Sequence, residues 1–134
     1  MFVSVVTVLG VMFFCSLAGF TFAKFQFPGK DFLFISLLLT MMIPAQMSFV
    51  PSFLIVAEFG WVDSYKALII PSLVNAFGIF WVRQFCQASV PDELLDAGRL
   101  DGCNTFRLYW NVALPTLRPA LTFFRDIHLY FDLE

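Results

Sequence analysis

SVPDELLDAGRLDGCNTFRLYWNVALPTLRPA, residues 89–120, is the longest stretch of this chain that does not read as membrane-like. It carries Asp92, Glu93, Asp96, Arg99, Asp101, Arg107 and Arg118, whereas the residues before it are so apolar that a bilayer is their natural solvent. Residues 89–120 are therefore where the chain meets water, and they read as a docking element. Ser89 followed three residues later by Asp92 predicts a capping-box-like helix start, with Pro91 in the first turn, where its missing N–H costs nothing. Asp92 and Glu93 suit the positive end of the helix dipole, and Asp96 and Arg99 are spaced i, i+3 on one exposed face. Gly102 stands where the helix should stop, because glycine takes the left-handed conformation without a Cβ penalty. Beyond it, Asn104 or Thr105 can cap a second helix in which Phe106, Tyr109 or Trp110, Ala113 and Leu117 recur at three- and four-residue steps. Pro115 is expected to end or kink that helix.

Outward from this stretch, composition decides the class. Of 134 residues, 60% are hydrophobic and 13% charged, against roughly half and roughly a quarter in ordinary soluble domains. The chain belongs in a membrane. The net charge of −2 comes with no basic run, which excludes nucleic acid as a partner. Cys15, Cys86 and Cys103 are widely spaced, so neither a disulfide framework nor a CxxC metal site is supported.

Three charge-free runs read as spans: residues 1–23, 32–57 and 67–82. The first lacks the basic head and cleavage pattern of a secretory signal. KFQFPGKD, residues 24–31, is a tight link broken by Pro28 and Gly29. Pro44 and Pro51 predict a kink in the second span, or last turns that break away from it. The third is short and closed by Arg83. Lys24 and Lys30 against one acid in the first link, compared with Lys66 against Glu58 and Asp63 in the second, put the first link in the cytoplasm by the positive-inside rule. Span counting returns residues 89–120 to the same side. After residue 121 the charges of Arg125, Asp126, Asp132 and Glu134 leave no room for a further span, and His128 reads as an exposed residue of a tail. Gln46 and Asn75 are the notable intramembrane polar groups, suited to a helix–helix hydrogen bond or to contact with a solute. No nucleophile–base pair, paired carboxylates or glycine-rich phosphate loop is present, so the chain reads as non-enzymatic, with no cofactor and no metal.

The run Pro91–Pro119 resembles the EAA loop of the inner-membrane permease subunits of binding-protein-dependent ABC importers: E-A-A, three residues, G, then L-P farther on. Asp96-Ala97-Gly98 stands where E-A-A is usual, Asp101-Gly102 matches the D-G, Cys103 replaces an alanine, and Leu114-Pro115 with Pro119 matches the end. FAKFQFPGK, Met42-Ile43-Pro44 and the stretch from Ala67 through NAFGIFWVRQF look like the maltose- and glycerol-phosphate-type, carbohydrate-uptake branch. The resemblance implies an all-α membrane protein: three transmembrane helices, then a cytoplasmic helix–Gly–helix coupling loop at 89–120, within a partial transmembrane domain spanning residues 1–121. It implies import of a sugar or sugar-like solute across a bacterial-type inner membrane. The partners would be a cytoplasmic ATP-binding subunit, a second permease subunit and an extracytoplasmic solute-binding protein. Coupling would fall to Glu93, Asp96, Ala97, Gly98, Asp101, Gly102 and Pro115, with Asp96 pairing a basic residue of the ATPase. Family members carry further spans, and the pattern fades over residues 122–134, so a fragment of a longer permease is expected, the alternatives being a transport-inactive fragment or a free-standing three-span protein.

Overall fold

The computed structural model describes residues 2–133, and every element among them is helical. Met1 and Glu134, the ends of the expected first span and of the tail, lie outside them. The first helix, α1 (Phe2–Lys24), matches the expected first span and ends on its only basic residue. Its 23 residues, with a mean hydropathy of 2.2, are long and apolar enough to cross a membrane.

The expected second span is two helices. α2 (Lys30–Met41) and α3 (Ala45–Glu58) meet at an angle of 104°. The break falls at Pro44, which has no N–H to donate and pushes the residue before it out of the helical region. Pro51 lies inside α3 without ending it. The kink expected in the second span is present at Pro44, and the span is this bent pair, a third crossing only if its two helices are taken together.

The expected third span is longer at both ends. α4 (Tyr65–Ser72) and α5 (Ala76–Ser89) flank a short break, and residues 65–89 form the second stretch able to cross a membrane, with a mean hydropathy of 1.5. Arg83 therefore lies inside α5 instead of closing it. Its guanidinium sits 4.0 Å from the centre of the Phe34 ring on α2, where the ring face offsets the charge. Ser89 is the last residue of α5, which corrects the expectation that it caps the next helix. Val90 precedes a proline and is extended (φ −107°, ψ 103°), so the chain cannot stay helical through it.

α6 (Asp92–Leu100) and the short α7 (Thr105–Leu108) follow. A π-helical turn at Tyr109–Ala113 then leads into α8 (Leu114–Leu133). Pro115 was expected to end or kink this helix, and Pro119 stands four residues on, yet α8 runs unbroken through both. Pro115 lies in the first turn after the π turn, where the hydrogen-bond register has already shifted and no α-type N–H is required of it.

The core is built by α1, α5 and the segment from α6 to α8. Phe20, Val82, Cys86, Leu95, Leu108, Tyr109, Ala113 and Leu117 form its main cluster, and Val11, Cys15, Ile79 and Phe124 a second one. α1 and α5 cross closely at Gly19, where an added Cβ would lie 2.7 Å from Val82 Cγ1 and 3.0 Å from the Arg83 backbone nitrogen. Among the described residues α2 buries only Lys30, and α3 and α4 bury none. Their exposed Phe32, Met47, Phe49, Val50 and Leu68 suit an apolar surrounding.

Candidate functional site: a capped helix–glycine–helix element

α6 is amphipathic because Leu95 alone turns into the core, at 3% exposed, while Glu93, Asp96 and Ala97 face outward. Asp92 and Glu93 occupy its first turn and Arg99 its last, each carrying the charge that the helix dipole favours there. Arg99 Nη1 donates to Asp96 Oδ1 at 3.0 Å, as the i, i+3 spacing predicts. Both side chains are at least half exposed, so the pair contributes little stability and Asp96 stays open to another cation. Pro91, not Ser89, takes the cap position, and no side chain caps the helix start. Asp92 instead accepts a hydrogen bond from Lys24 Nζ at 2.8 Å.

The Asp92–Lys24 pair is asymmetric: the Lys24 side chain is 6% exposed and that of Asp92 80%. The hydrogen bond from Lys24, then its charge, hold the Asp92 carboxyl below the usual carboxylate range, with Arg99 adding to the effect. A carboxyl lowered on folding contributes stability above its unfolded value, and that contribution is lost as the pH falls through the folded value. The contact therefore persists at neutral pH and breaks only in acid.

The turn after α6 closes the helix end on its own backbone. Gly102 N–H donates to Arg99 O and Cys103 N–H to Gly98 O, both at 3.0 Å, the paired bonds of a Schellman motif. Gly102 has φ +82°, the left-handed conformation that the motif demands of its glycine. Gly98 serves by lacking a side chain, since an added Cβ would lie 2.5 Å from Leu108 Cδ2 of α7. Asp101 is exposed at the corner. Of the two candidate caps for α7, Asn104 is the one used: its Oδ1 accepts from Arg107 N–H at 2.9 Å. Replacing Asn104 by alanine is expected to cost about 1 kcal/mol, seen as faster hydrogen exchange over residues 105–108 with the rest of the chain unchanged.

Past α7, Tyr109 is 1% exposed and shares a 2.6 Å hydrogen bond with Ser16 of α1. Phe106 and Trp110 stack, with ring centres 6.2 Å apart, and stay half exposed. Pro115 belongs to the helix leading away and not to the acidic face of α6. Sequence reasoning missed the Lys24–Asp92 and Ser16–Tyr109 contacts, which join residues 68 and 93 positions apart with no local signal.

The intramembrane polar candidates separate. Asn75 caps α5, its Oδ1 accepting from Phe77 N–H at 2.9 Å and Gly78 N–H at 3.4 Å, while its carbonyl accepts from the Cys15 thiol at 3.6 Å. Asn75 also lines an open crevice of about 540 Å³ with Thr40, Ser48, Ser52, Phe49 and Phe77. Gln46 is exposed on α3 and does not line that crevice. His128 is half-buried rather than exposed, its ring edge-on to Phe124 at 5.0 Å.

Residues 15–125 match the family described as binding-protein-dependent transport system inner membrane component. The arabinooligosaccharides transport system permease protein AraQ of Halalkalibacterium halodurans is 33% identical over 119 residues, covering 89% of this chain and 42% of that protein. The sn-glycerol-3-phosphate transport system permease protein UgpE of Yersinia enterocolitica is 33% identical over 105 residues, covering 78% of this chain and 37% of that protein. In fold, the chain is similar to a bacterial ABC transporter involved in the import of the acidic polysaccharide alginate, with a TM-score of 0.86 at 24% identity over 95% of this chain and 44% of that one. The chain thus spans about two-fifths of the length of the curated relatives it matches. By its matched residues and its all-helical architecture, the chain belongs to the family of inner membrane components of binding-protein-dependent transport systems.

Proposed function

We propose that this chain works within the permease of an ATP-driven importer for a sugar or sugar-like solute, and that α6 to α7 is its coupling element. The carrying observation is the joint between water and bundle: an acidic, exposed α6, fixed by the Gly102 turn, continues through the π turn into a helix packed on α1 and α5. A displacement applied at α6 would be delivered to the bundle without a flexible joint, as rigid-body coupling requires. Glu93, Asp96 and Asp101 present the charge, Asp96 meets a cation of a cytoplasmic ATP-binding subunit, and Ala97 keeps the docking face low. Gly98 and Gly102 shape the bend, and Pro115 begins the helix that carries the motion away. The excess of lysine in the first link supports a cytoplasmic side for the element, since Lys24 reaches α6 directly.

Carbohydrates, or a phosphorylated polyol, are named in the relatives' transport systems, which supports a hydroxyl-rich solute. The crevice around Asn75, with its serine and threonine hydroxyls and two phenylalanine rings, is the surface on this chain that suits one. A second permease subunit and an extracytoplasmic solute-binding protein complete the assembly. The test is recovery of the ATP-binding subunit with the permease extracted from native membranes. Asp96→Lys is expected to lower that recovery at least tenfold, because reversing one partner of a close charge pair costs on the order of 2–5 kcal/mol. Equal recovery with wild type would overturn the reading.

A further inference from the structure

The Lys24–Asp92 and Ser16–Tyr109 contacts sit at particular places: Asp92 is the first residue of α6, and Tyr109 is the first residue after α7. Everything between them is the coupling element. Their two partners both belong to α1, eight residues or about 12 Å apart along one helix. We propose that α1 clasps the coupling element at its beginning and its end, so that Lys24 and Ser16 are positioning residues that make α1 move with α6 and α7 as one body. The proposal rests on the reading of α6 to α7 as the coupling element.

Packing favours the same unit. Phe20, between the two clasp points on α1, lies in one buried cluster with Leu95 of α6 and Leu108 of α7, and its ring is 5.8 Å from that of Tyr109. The arm of α2, α3 and α4 buries only Lys30 among the described residues. The helix that follows the coupling element is therefore α1, while the bent arm that lines the Asn75 crevice meets the bundle through surface contacts such as Phe22–Phe34 and Arg83–Phe34.

The chemistry of the clasp predicts unequal losses. Removing the charge of Asp92 leaves the Lys24 ammonium in a site that is 6% exposed, whereas removing Lys24 leaves an 80% exposed carboxylate that water can solvate. Asp92→Asn should therefore loosen the clasp more than Lys24→Gln. At the other point, Ser16 Oγ also lies 3.0 Å from Phe13 O, so it keeps a partner when Tyr109 becomes phenylalanine. Ser16→Ala instead strands the buried tyrosine hydroxyl and should be the costlier change.

The experiment is hydrogen exchange on the protein as extracted from its own membranes into lipid nanodiscs, with no ATP-binding subunit present. Asp92→Asn is expected to speed exchange about threefold or more in both residues 20–24 and residues 92–96, the scale of a partly exposed ion pair. Lys24→Gln should do so less, and Lys24→Arg, which keeps the charge and a donor at the end of α1, should leave both segments protected. Tyr109→Phe keeps the core shape and should loosen α1 around Ser16 together with residues 105–109. Loosening of α6 or α7 alone, with α1 unchanged, would overturn the proposal, as would loss of protection in Lys24→Arg equal to that in Lys24→Gln. Loss of the parent reading would appear elsewhere, as Asp96→Lys recovering the ATP-binding subunit like wild type.

Discussion

Gly19→Val is expected to prevent the bundle from forming. A Cβ at residue 19 would lie 2.7 Å from Val82 Cγ1, 2.8 Å from Val82 Cβ and 3.0 Å from the backbone nitrogen of Arg83. The first contact could be relieved by a rotamer change, but the others involve a branching carbon and the main chain of α5, which move only if the helices part. Overpacking a close-fitted interior typically costs about 1–3 kcal/mol when side chains can adjust, and here the adjustment must come from backbone. A loss of about 3 kcal/mol or more follows, a large part of the stability of a small domain. The measurement is yield of monodisperse protein in detergent and its melting temperature, with Gly19→Ala intermediate. A Gly19→Val protein that melts like wild type would mean that α1 and α5 stand farther apart than the close crossing described.

On the coupling role proposed for α6 and α7, Gly102→Pro is expected to abolish recovery of an ATP-binding subunit while leaving α1 and α5 folded. Proline fixes φ near −65°, whereas residue 102 has φ +82°. It also lacks the N–H that residue 102 donates to Arg99 O at 3.0 Å. Both losses fall on the Schellman turn, and the chain can accept proline only by unwinding the end of α6 and redirecting α7. Gly102→Ala keeps the N–H and pays only for the left-handed backbone, about 1–2 kcal/mol. Hydrogen exchange should therefore show residues 97–108 unprotected in the proline variant and modestly faster in the alanine one. Wild-type protection there for Gly102→Pro would contradict the assigned turn.

The elements that were legible in the sequence are those fixed by local chemistry. The charge-free run before Lys24 predicts α1, the glycine at 102 predicts the bend, and the Asp96/Arg99 spacing predicts the pair observed. The misreadings also have local causes. Ser89 with Asp92 has the look of a capping box, but Val90 precedes Pro91 and must be extended, so Ser89 remains the end of the helix before it. The rule that a residue before proline leaves the helical region was available and outranks the cap pattern. Pro115 reads as an end or a kink because a proline ring costs an α-helix a hydrogen bond, whereas the preceding π turn changes which bonds are made. Nothing nearby in sequence marks Lys24 for Asp92 or Ser16 for Tyr109, because those pairings exist only once α1 packs against the far end of the chain.

The π turn has a consequence for how the chain tolerates change. It accommodates one residue more per turn than its neighbours, so α7 and α8 are two helices out of phase by one position, both seating their apolar stripes on the same partners. Leu108 before the turn and Leu117, Leu121 and Phe124 after it are all buried. Were residues 109–113 to wind as an uninterrupted α-helix instead, better by hydrogen-bond geometry, everything after them would rotate by about 100°. Leu117, Leu121 and Phe124 would then swing off α1 and α5. Residues 109–113 are in this sense a phase adjuster, in which the way the backbone winds decides which face of the following helix meets α1 and α5.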